Sequence, residues 1–474
     1  MAVRHNWKYL SIPAAVLIAL MVLSPGIQCY QADRETISAN HIAAHAPTLW
    51  KQTTQADFQL GTTMQTNLTM FPDSIVLDKA RDIPSTVYAF TGGGTASFYQ
   101  YSVSANAWTG APDAPGPVGE GGKIASDGQR YIFAFQGGGS SAFWRFDVYT
   151  SMWTSLANTP GPVNSGSDLY FGGGKIYALQ GGGSSAVWAY NILTETWTAV
   201  PITGTQHPMG PGACLAVAGS SIYVLRPDAP NFITVPKSGG AWTTLTAPMA
   251  AGPGADMYAT TGNAIYVLFG GGTNLFSSYT INIKTWKTFT DTSAPINAGG
   301  GLAFQPTPAP AHLYALAGGS TTGFHGWAYT TTAPGPAWGT LAPIPEAVGA
   351  GGGLTYIYSS TGQYLANGLF ISSVYDAGRS GEVLNALMWD VDVPNLVNQA
   401  ISVQIRVSDT LEGLSSAPWT LLPAFPAVVP GTSTYYADLS GISGQYVQYE
   451  VGMSTLDLTT TPTCYEVRLY HTGV

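Results

Sequence analysis

Ile176-Tyr-Ala-Leu-Gln-Gly-Gly-Gly183, followed by Tyr190 and, after six intervening residues, Trp197, is the stretch on which the fold turns. An apolar run with Tyr177 inside it ends in a glycine triplet, and a second run, Ala186-Val-Trp-Ala-Tyr-Asn-Ile, is bulky at every other position. That alternation is the period of a strand with one buried face. Glycines permit the positive φ of a sharp exit from the first strand into the second. The unit recurs. Trp108, Trp153, Trp197, Trp242, Trp286 and Trp338 are separated by 45, 44, 45, 44 and 52 residues, and Tyr88, Tyr131, Tyr177, Tyr223, Tyr266 and Tyr314 run in phase with them. A repeat of that length, made of short strands without helical stretches between them, is the size of one four-stranded sheet, and a closed array of such sheets is a β-propeller. Most of the ladder aromatics are expected in the core between adjacent sheets, because large rings dominate core burial.

The pattern of apolar strand, glycine doublet and Tyr-x6-Trp pair resembles the kelch repeat. The spacing holds from Tyr101 to Trp108, Phe146 to Trp153, Tyr190 to Trp197 and Tyr279 to Trp286, with Val235 to Trp242 as a degenerate copy. Two departures stand out: Arg226-Pro-Asp-Ala-Pro replaces the glycines of the fourth unit, and the sixth stretches its spacing from Tyr329 to Trp338. The resemblance covers residues 73–366, roughly three fifths of the chain. It implies an all-β, kelch-like propeller of six or seven four-stranded blades. Seven are favoured, because Gly351-Gly-Gly-Leu-Thr-Tyr and Gln363-Tyr-Leu-Ala read as the first half of a further blade.

Beyond the propeller, residues 367–474 lose the triplets and carry longer alternating runs, among them Ile401-Ser-Val-Gln-Ile-Arg-Val. Strands are expected at residues 399–407, 419–422, 446–451 and 465–470, with no helix, which suggests an antiparallel β-sandwich. Ser372-Ser-Val-Tyr-Asp-Ala-Gly, Gln404-Ile-Arg, Gln445-Tyr-Val-Gln-Tyr and Thr461-Pro are similar to jelly-roll modules appended to prokaryotic surface and secreted proteins. That resemblance implies binding or attachment more than chemistry. Residues 30–72 hold strand-like runs without a Trp rung, and either close the ring or pair with the sandwich.

Residues 1–29 read as a signal peptide or N-terminal anchor. Arg4, His5 and Lys8 precede an apolar run, residues 12–23, that is too short to span a bilayer comfortably and ends at Ser24-Pro-Gly. The expected location is therefore secreted, extracellular or at the cell surface, with membrane attachment only through an uncleaved N-terminal segment. Cys29 is a poor match to a lipidated cysteine, since Gly26-Ile-Gln precedes it. Cys214 and Cys464 fall in different domains and read as buried apolar residues, so no disulfide framework is implied. Asn67-Leu-Thr matches a glycosylation acceptor.

With 17 Lys and Arg against 26 Asp and Glu, the chain carries a formal charge of -9 and no basic stripe, so nucleic acid is excluded as a partner. In a propeller, the loops leading into each innermost strand open on one face. Here these loops are rich in Pro and Gly, and their polar members Glu120, Asn164, Asp168, His207, Asp256, Asn297 and Glu346 are the candidate ligand-binding residues of an acidic channel mouth. The competing reading makes them ordinary solvated turn residues.

Some kelch propellers are copper radical oxidases, which use a cysteine bonded to a tyrosine, a second tyrosine and two histidines. Cys214, His207, His312 and His325 supply such an inventory without a paired-histidine motif. The arginine triad of sialidase-type propellers is missing, and no nucleophile-elbow, zincin, P-loop or C-x-x-C motif occurs. No catalytic residue, metal site or cofactor is assigned, and calcium has no motif to hold it. The expected function is a non-catalytic surface or extracellular binding or adhesion protein for a glycan or protein partner. The alternatives are a self-associating component of a surface layer or filament, and an extracellular carbohydrate oxidase.

Overall fold

Each tyrosine-to-tryptophan unit becomes one antiparallel sheet, as the Asp168 unit illustrates. Asp168–Phe171, Lys175–Leu179, Val187–Asn191 and Thr196–Ala199 pair in chain order, and Tyr190 stands opposite Trp197. The computed structural model describes residues 48–71, 73–81, 83–172, 174–192, 195–260, 263–306, 311–328, 337–359, 362–394, 399–423, 425–426, 434–455 and 458–472. The expectations for residues 1–47 and for Tyr329 lie outside these. The chain divides into two compact units, one of Asp78–Asn367 and one combining the chain up to Leu77 with Gly368–Val474.

Among the described residues, Asp78–Asn367 holds six four-stranded antiparallel sheets. Their innermost strands are Lys123–Ser126, Asp168–Phe171, Cys214–Ala218, Asp256–Ala259, Gly301–Gln305 and Gly353–Ser359. Each lies beside the innermost strand of the sheet before and the sheet after, and Gly353–Ser359 lies beside Lys123–Ser126, so the series closes on itself. The architecture is all-β and consistent with a propeller-like fold.

The half-blade expected at Gly351 does not start a seventh sheet. Gly353–Ser359 pairs with Ile83–Phe90, placing Gly353 opposite Phe90, and forms the fourth strand of a sheet whose other strands come from the start of the unit. The physical reason is an open strand edge: Ile83–Phe90 has a free side that a late strand satisfies by backbone hydrogen bonding. Nor do the described residues before 78 supply a ring strand. Thr48–Gln52 and Ile75–Leu77 both pair with Thr463–His471, while Thr62–Met64 pairs with Asn367–Ile371.

Aromatic rings fill the spaces between sheets. Phe143, on the sheet of Lys123–Ser126, lies 4.9 Å from both Tyr190 and Trp197 of the next. The tryptophans also act through their indole N–H groups. Trp153 donates to Pro112 O at 2.9 Å, Trp197 to Ala157 O at 3.0 Å, Trp286 to Thr246 O at 2.6 Å and Trp108 to Ala342 O at 3.0 Å. Each acceptor belongs to the preceding sheet or the chain just leaving it, and Trp108 bonds the first sheet to the last. Four of the six ruler tryptophans are thus inter-sheet ties, whereas the buried indole N–H groups of Trp242 and Trp338 have no hydrogen-bond partner among the described residues.

The other unit has two larger sheets. One runs Thr66–Asn67, Ile75–Leu77, Thr463–His471, Leu384–Asp392, Thr434–Asp438 and Phe425–Pro426, with Thr48–Gln52 also on Thr463–His471. The second runs Thr62–Met64, Asn367–Ile371, Tyr446–Thr455, Gln399–Ser408 and Thr420–Leu421, with Tyr375–Asp376 also on Tyr446–Thr455. They meet through Trp50, whose ring stacks at 4.7 Å on Tyr375, and through the Tyr449 hydroxyl, which donates to Gln52 Oε1. Cys464 is buried and free, as is Cys214 in the first unit. Contrary to the helix-free expectation, Leu411–Ser416 is a short helix. Its N-cap Thr410 accepts a 3.0 Å bond from the Gly413 N–H, a local bond that outweighs the strand tendency of the flanks.

Glu450, on Tyr446–Thr455, accepts from Gln404 Nε2 at 2.9 Å through Oε1, while its buried Oε2 has no hydrogen-bond partner. Burial pushes its carboxyl up to about 7, against the opposing pull of Arg406 and Gln404. The folded state therefore holds this proton more tightly than the unfolded chain does. The contribution is fully present below the unfolded value of 4.5 and is lost as pH rises toward about 7. Urea titrations at about pH 5 and about pH 7.5 should show the wild type losing stability across this interval and Glu450→Gln losing less. Equal losses in the two proteins would remove Glu450 from the account.

Candidate functional site at the ring of turns

Six turns of one kind lead into the six innermost strands. In residues 119–122, 164–167, 210–213, 252–255, 297–300 and 349–352 the fourth N–H bonds the first carbonyl, at 2.8 to 3.0 Å. The third residue of each is a glycine with φ between +81° and +94°. This is the type II turn, which takes proline at its second position, as Pro211 and Pro253 do. At Gly166 the close approach is explicit: a Cβ there would overlap the carbonyl of Gly210, the first residue of the next turn. The same contact runs from Gly121 to Asn164, Gly212 to Gly252, Gly254 to Asn297, Gly299 to Gly349 and Gly351 back to Gly119, so the turns form a closed ring.

The ring surrounds a small depression of about 60 Å³, open to solvent and lined by Gly, Ala, Ser and Pro together with Glu120 and Lys123. Beneath it, the first residues of the innermost strands share one register: Lys123, Asp168, Cys214, Asp256, Gly301 and Gly353. Asp168 accepts from its own neighbour, Leu169 N–H, at 2.9 Å and from Leu215 N–H of the next sheet at 2.8 Å. Asp256 repeats the pattern with Met257 at 2.9 Å and Leu302 at 2.8 Å. Each carboxylate therefore ties two sheets together.

Lys123 reaches across the axis to the opposite sheet. Its Nζ is 3.6 Å from Asp256 Oδ2 and 3.9 Å from Asp168 Oδ1, and is buried without a hydrogen bond. Burial works against the Lys123 ammonium, but the carboxylates of Asp256 and Asp168 outweigh it and raise its pKa. Burial pushes the Asp168 carboxyl up to about 7, with Lys123 opposing and Asp256 reinforcing the rise. The Cys214 thiol is also raised, chiefly by burial, which disfavours the reactive thiolate. Farther in, Tyr170 and Tyr258 bring their rings within 5.8 Å, and the Tyr170 hydroxyl donates to Ala259 O at 3.0 Å.

Of the residues expected at the mouth, Glu120 stands exposed on the rim, and Asp168 and Asp256 are buried outside the lining of the depression. Asn164 and Asn297 open their turns, but their side chains lean toward the glycine triplets and donate to Pro162 O at 3.5 Å and Pro295 O at 3.4 Å. His207 lies beside Trp242, 6.4 Å between ring centres, and Glu346 is exposed with the Tyr99 hydroxyl as its partner. Neither belongs to the depression. Lys123 was missed, although aligning the repeats at their turn glycines places it in register with Asp168 and Asp256.

The copper inventory is scattered. His312 and His325 lie on the second and third strands of the Gly301 sheet, where His325 Nδ1 is 2.7 Å from Ser293 Oγ, whereas Cys214 heads an innermost strand. Among the described residues, no group of three or more His, Cys, Asp and Glu is arranged to hold a metal. No helix among them is long and apolar enough to cross a membrane.

No family model matches the chain, and no curated protein does. Among solved structures it is similar to one titled "Structure of YjhT", at 14% identity and a TM-score of 0.40, over 55% of this chain and 91% of that one.

Proposed function

We propose that the chain is a non-catalytic extracellular or cell-surface binding protein. In this reading, a six-bladed kelch-like propeller and a β-sandwich present the ring of turns to a glycan or protein partner. The observation that supports it is the convergence of all six turns on one open depression. Small residues leave its wall accessible there, with a carboxylate on the rim and buried charge beneath. Sites of this kind hold ligands through a few placed polar groups in a concave surface.

The test is a glycan array probed with the purified chain, with and without calcium. Saturable binding should weaken about tenfold in Glu120→Ala, the cost of losing one charged hydrogen bond at an exposed position. Binding that ignores Glu120 would move the site elsewhere, and a silent array would reject the glycan form of the proposal.

A further inference from the structure

The N–H groups of the turn glycines, Gly121, Gly166, Gly212, Gly254, Gly299 and Gly351, donate to no other group of the described residues, and all six glycines line the depression. Their direction is set by the peptide that each turn glycine shares with the residue before it. Glu120, Ser165, Pro253, Ala298 and Ala350 each turn their carbonyl outward. There it accepts, at 2.7 to 2.9 Å, from a glycine N–H in the cluster that follows the second strand of the same sheet. A trans peptide sets its N–H opposite its C=O, so the N–H of the turn glycine is aimed inward. Pro211 lacks this bond among the described residues, in the unit whose glycines are replaced by Arg226-Pro-Asp-Ala-Pro.

On the binding role already proposed for the depression, we infer that it takes one carboxylate group of the ligand, held by the inward N–H groups of the turn glycines. Converging backbone N–H groups form an anion-binding concavity without any exposed basic side chain. Lys123 adds a positive charge from below: it contributes to the lining, whereas Asp168 and Asp256 lie outside it. Its buried Nζ makes no hydrogen bond within the protein. Glu120 on the rim opposes an anion, which favours a singly charged group over a dianion. Size narrows the choice further. About 60 Å³ admits roughly four to six water-sized groups, enough for a carboxylate but too little for a whole sugar ring, so the rest of the ligand lies outside the turns.

The experiment is a titration of the folded full chain, isotope-labelled at its glycine nitrogens, with sodium acetate replacing sodium chloride at constant ionic strength. Acetate should move the amide resonances of the ring glycines downfield in a saturable way. Acetamide, its neutral isostere, should need at least about tenfold more, because an N–H bond to a charged acceptor is the stronger. Ala298 lines the depression at the second turn position, where an L side chain fits. Ala298→Asp sets a like charge on the wall and should weaken acetate binding at least about tenfold, while Ala298→Asn stays within about threefold. Glucuronate and N-acetylglycine distinguish an acidic sugar from a peptide terminus as the source of the carboxylate, the tighter of the two naming it. Ring glycines that ignore acetate in the wild type, or respond equally to acetamide, would overturn the inference. Glycan binding on the array with the ring glycines unmoved by acetate would overturn it and leave the wider binding role intact. Acetate binding beside a silent array would uphold it and reject only the glycan partner.

Discussion

Gly166→Ala is expected to destabilise the six-sheet unit by about 4 kcal/mol or more, in the range reserved for a named structural failure. The matched control is Gly183→Ala. Gly166 and Gly183 have nearly equal φ, +81° and +80°, so the backbone strain of an L side chain is common to both. At Gly183 a Cβ meets nothing within 4 Å, and the cost should stay near the strain alone, about 1 kcal/mol. At Gly166 it meets the Gly210 carbonyl, backbone that moves only if the neighbouring turn moves. Urea unfolding followed by near-ultraviolet circular dichroism compares the two. Equal midpoints would mean that the turns do not press on one another and that the ring is held by the sheets alone.

Phe143→Ala should cost about 3–5 kcal/mol, the range for deleting a fully buried aromatic side chain. Phe143 is 1% exposed and contacts Phe133 and Phe135 on its own sheet as well as Tyr190 and Trp197 on the next. The cavity would therefore open between sheets, where rigid neighbours limit collapse. Phe143→Leu, which restores most of the volume, should lose less than half as much. Measured losses near 1 kcal/mol for Phe143→Ala would show that the two sheets close over the gap.

The sheets were legible because their determinants are local and repeated. Tyr190 and Trp197, with six residues between them, face each other in a hairpin, and the glycine triplet sits at the bend before it. Closure was not legible, because the partner of Gly353–Ser359 is Ile83–Phe90, at the far end of the unit. Nothing in a strand's own sequence names a distant edge. The placement of Thr48–Gln52 on Thr463–His471 escaped for the same reason. Leu384–Asp392 also went unread, since its pairing with Thr463–His471 shifts register near both of its ends and interrupts the two-residue period. At the site, Asp168 and Asp256 were found by their position after a turn, whereas His207 and Glu346 were grouped with them by sequence neighbourhood alone. Lys123 required the comparison of one repeat with another.

The connectivity of the smaller unit sets an order in time. Thr48–Gln52 is made early but finds its hydrogen-bonding partner only in Thr463–His471, and Ile75–Leu77, paired early with Thr66–Asn67, waits for the same strand on its other edge. Between them the ribosome must deliver all six repeating sheets, whose own closure waits only for Gly353–Ser359. The repeating unit can thus complete its pairing about a hundred residues before Thr463–His471 is reached, so the flanking unit is finished after it. A chain cut short after residue 367 would retain every strand of the first, and leave Thr48–Gln52 and Thr62–Met64 of the second without their partner strands.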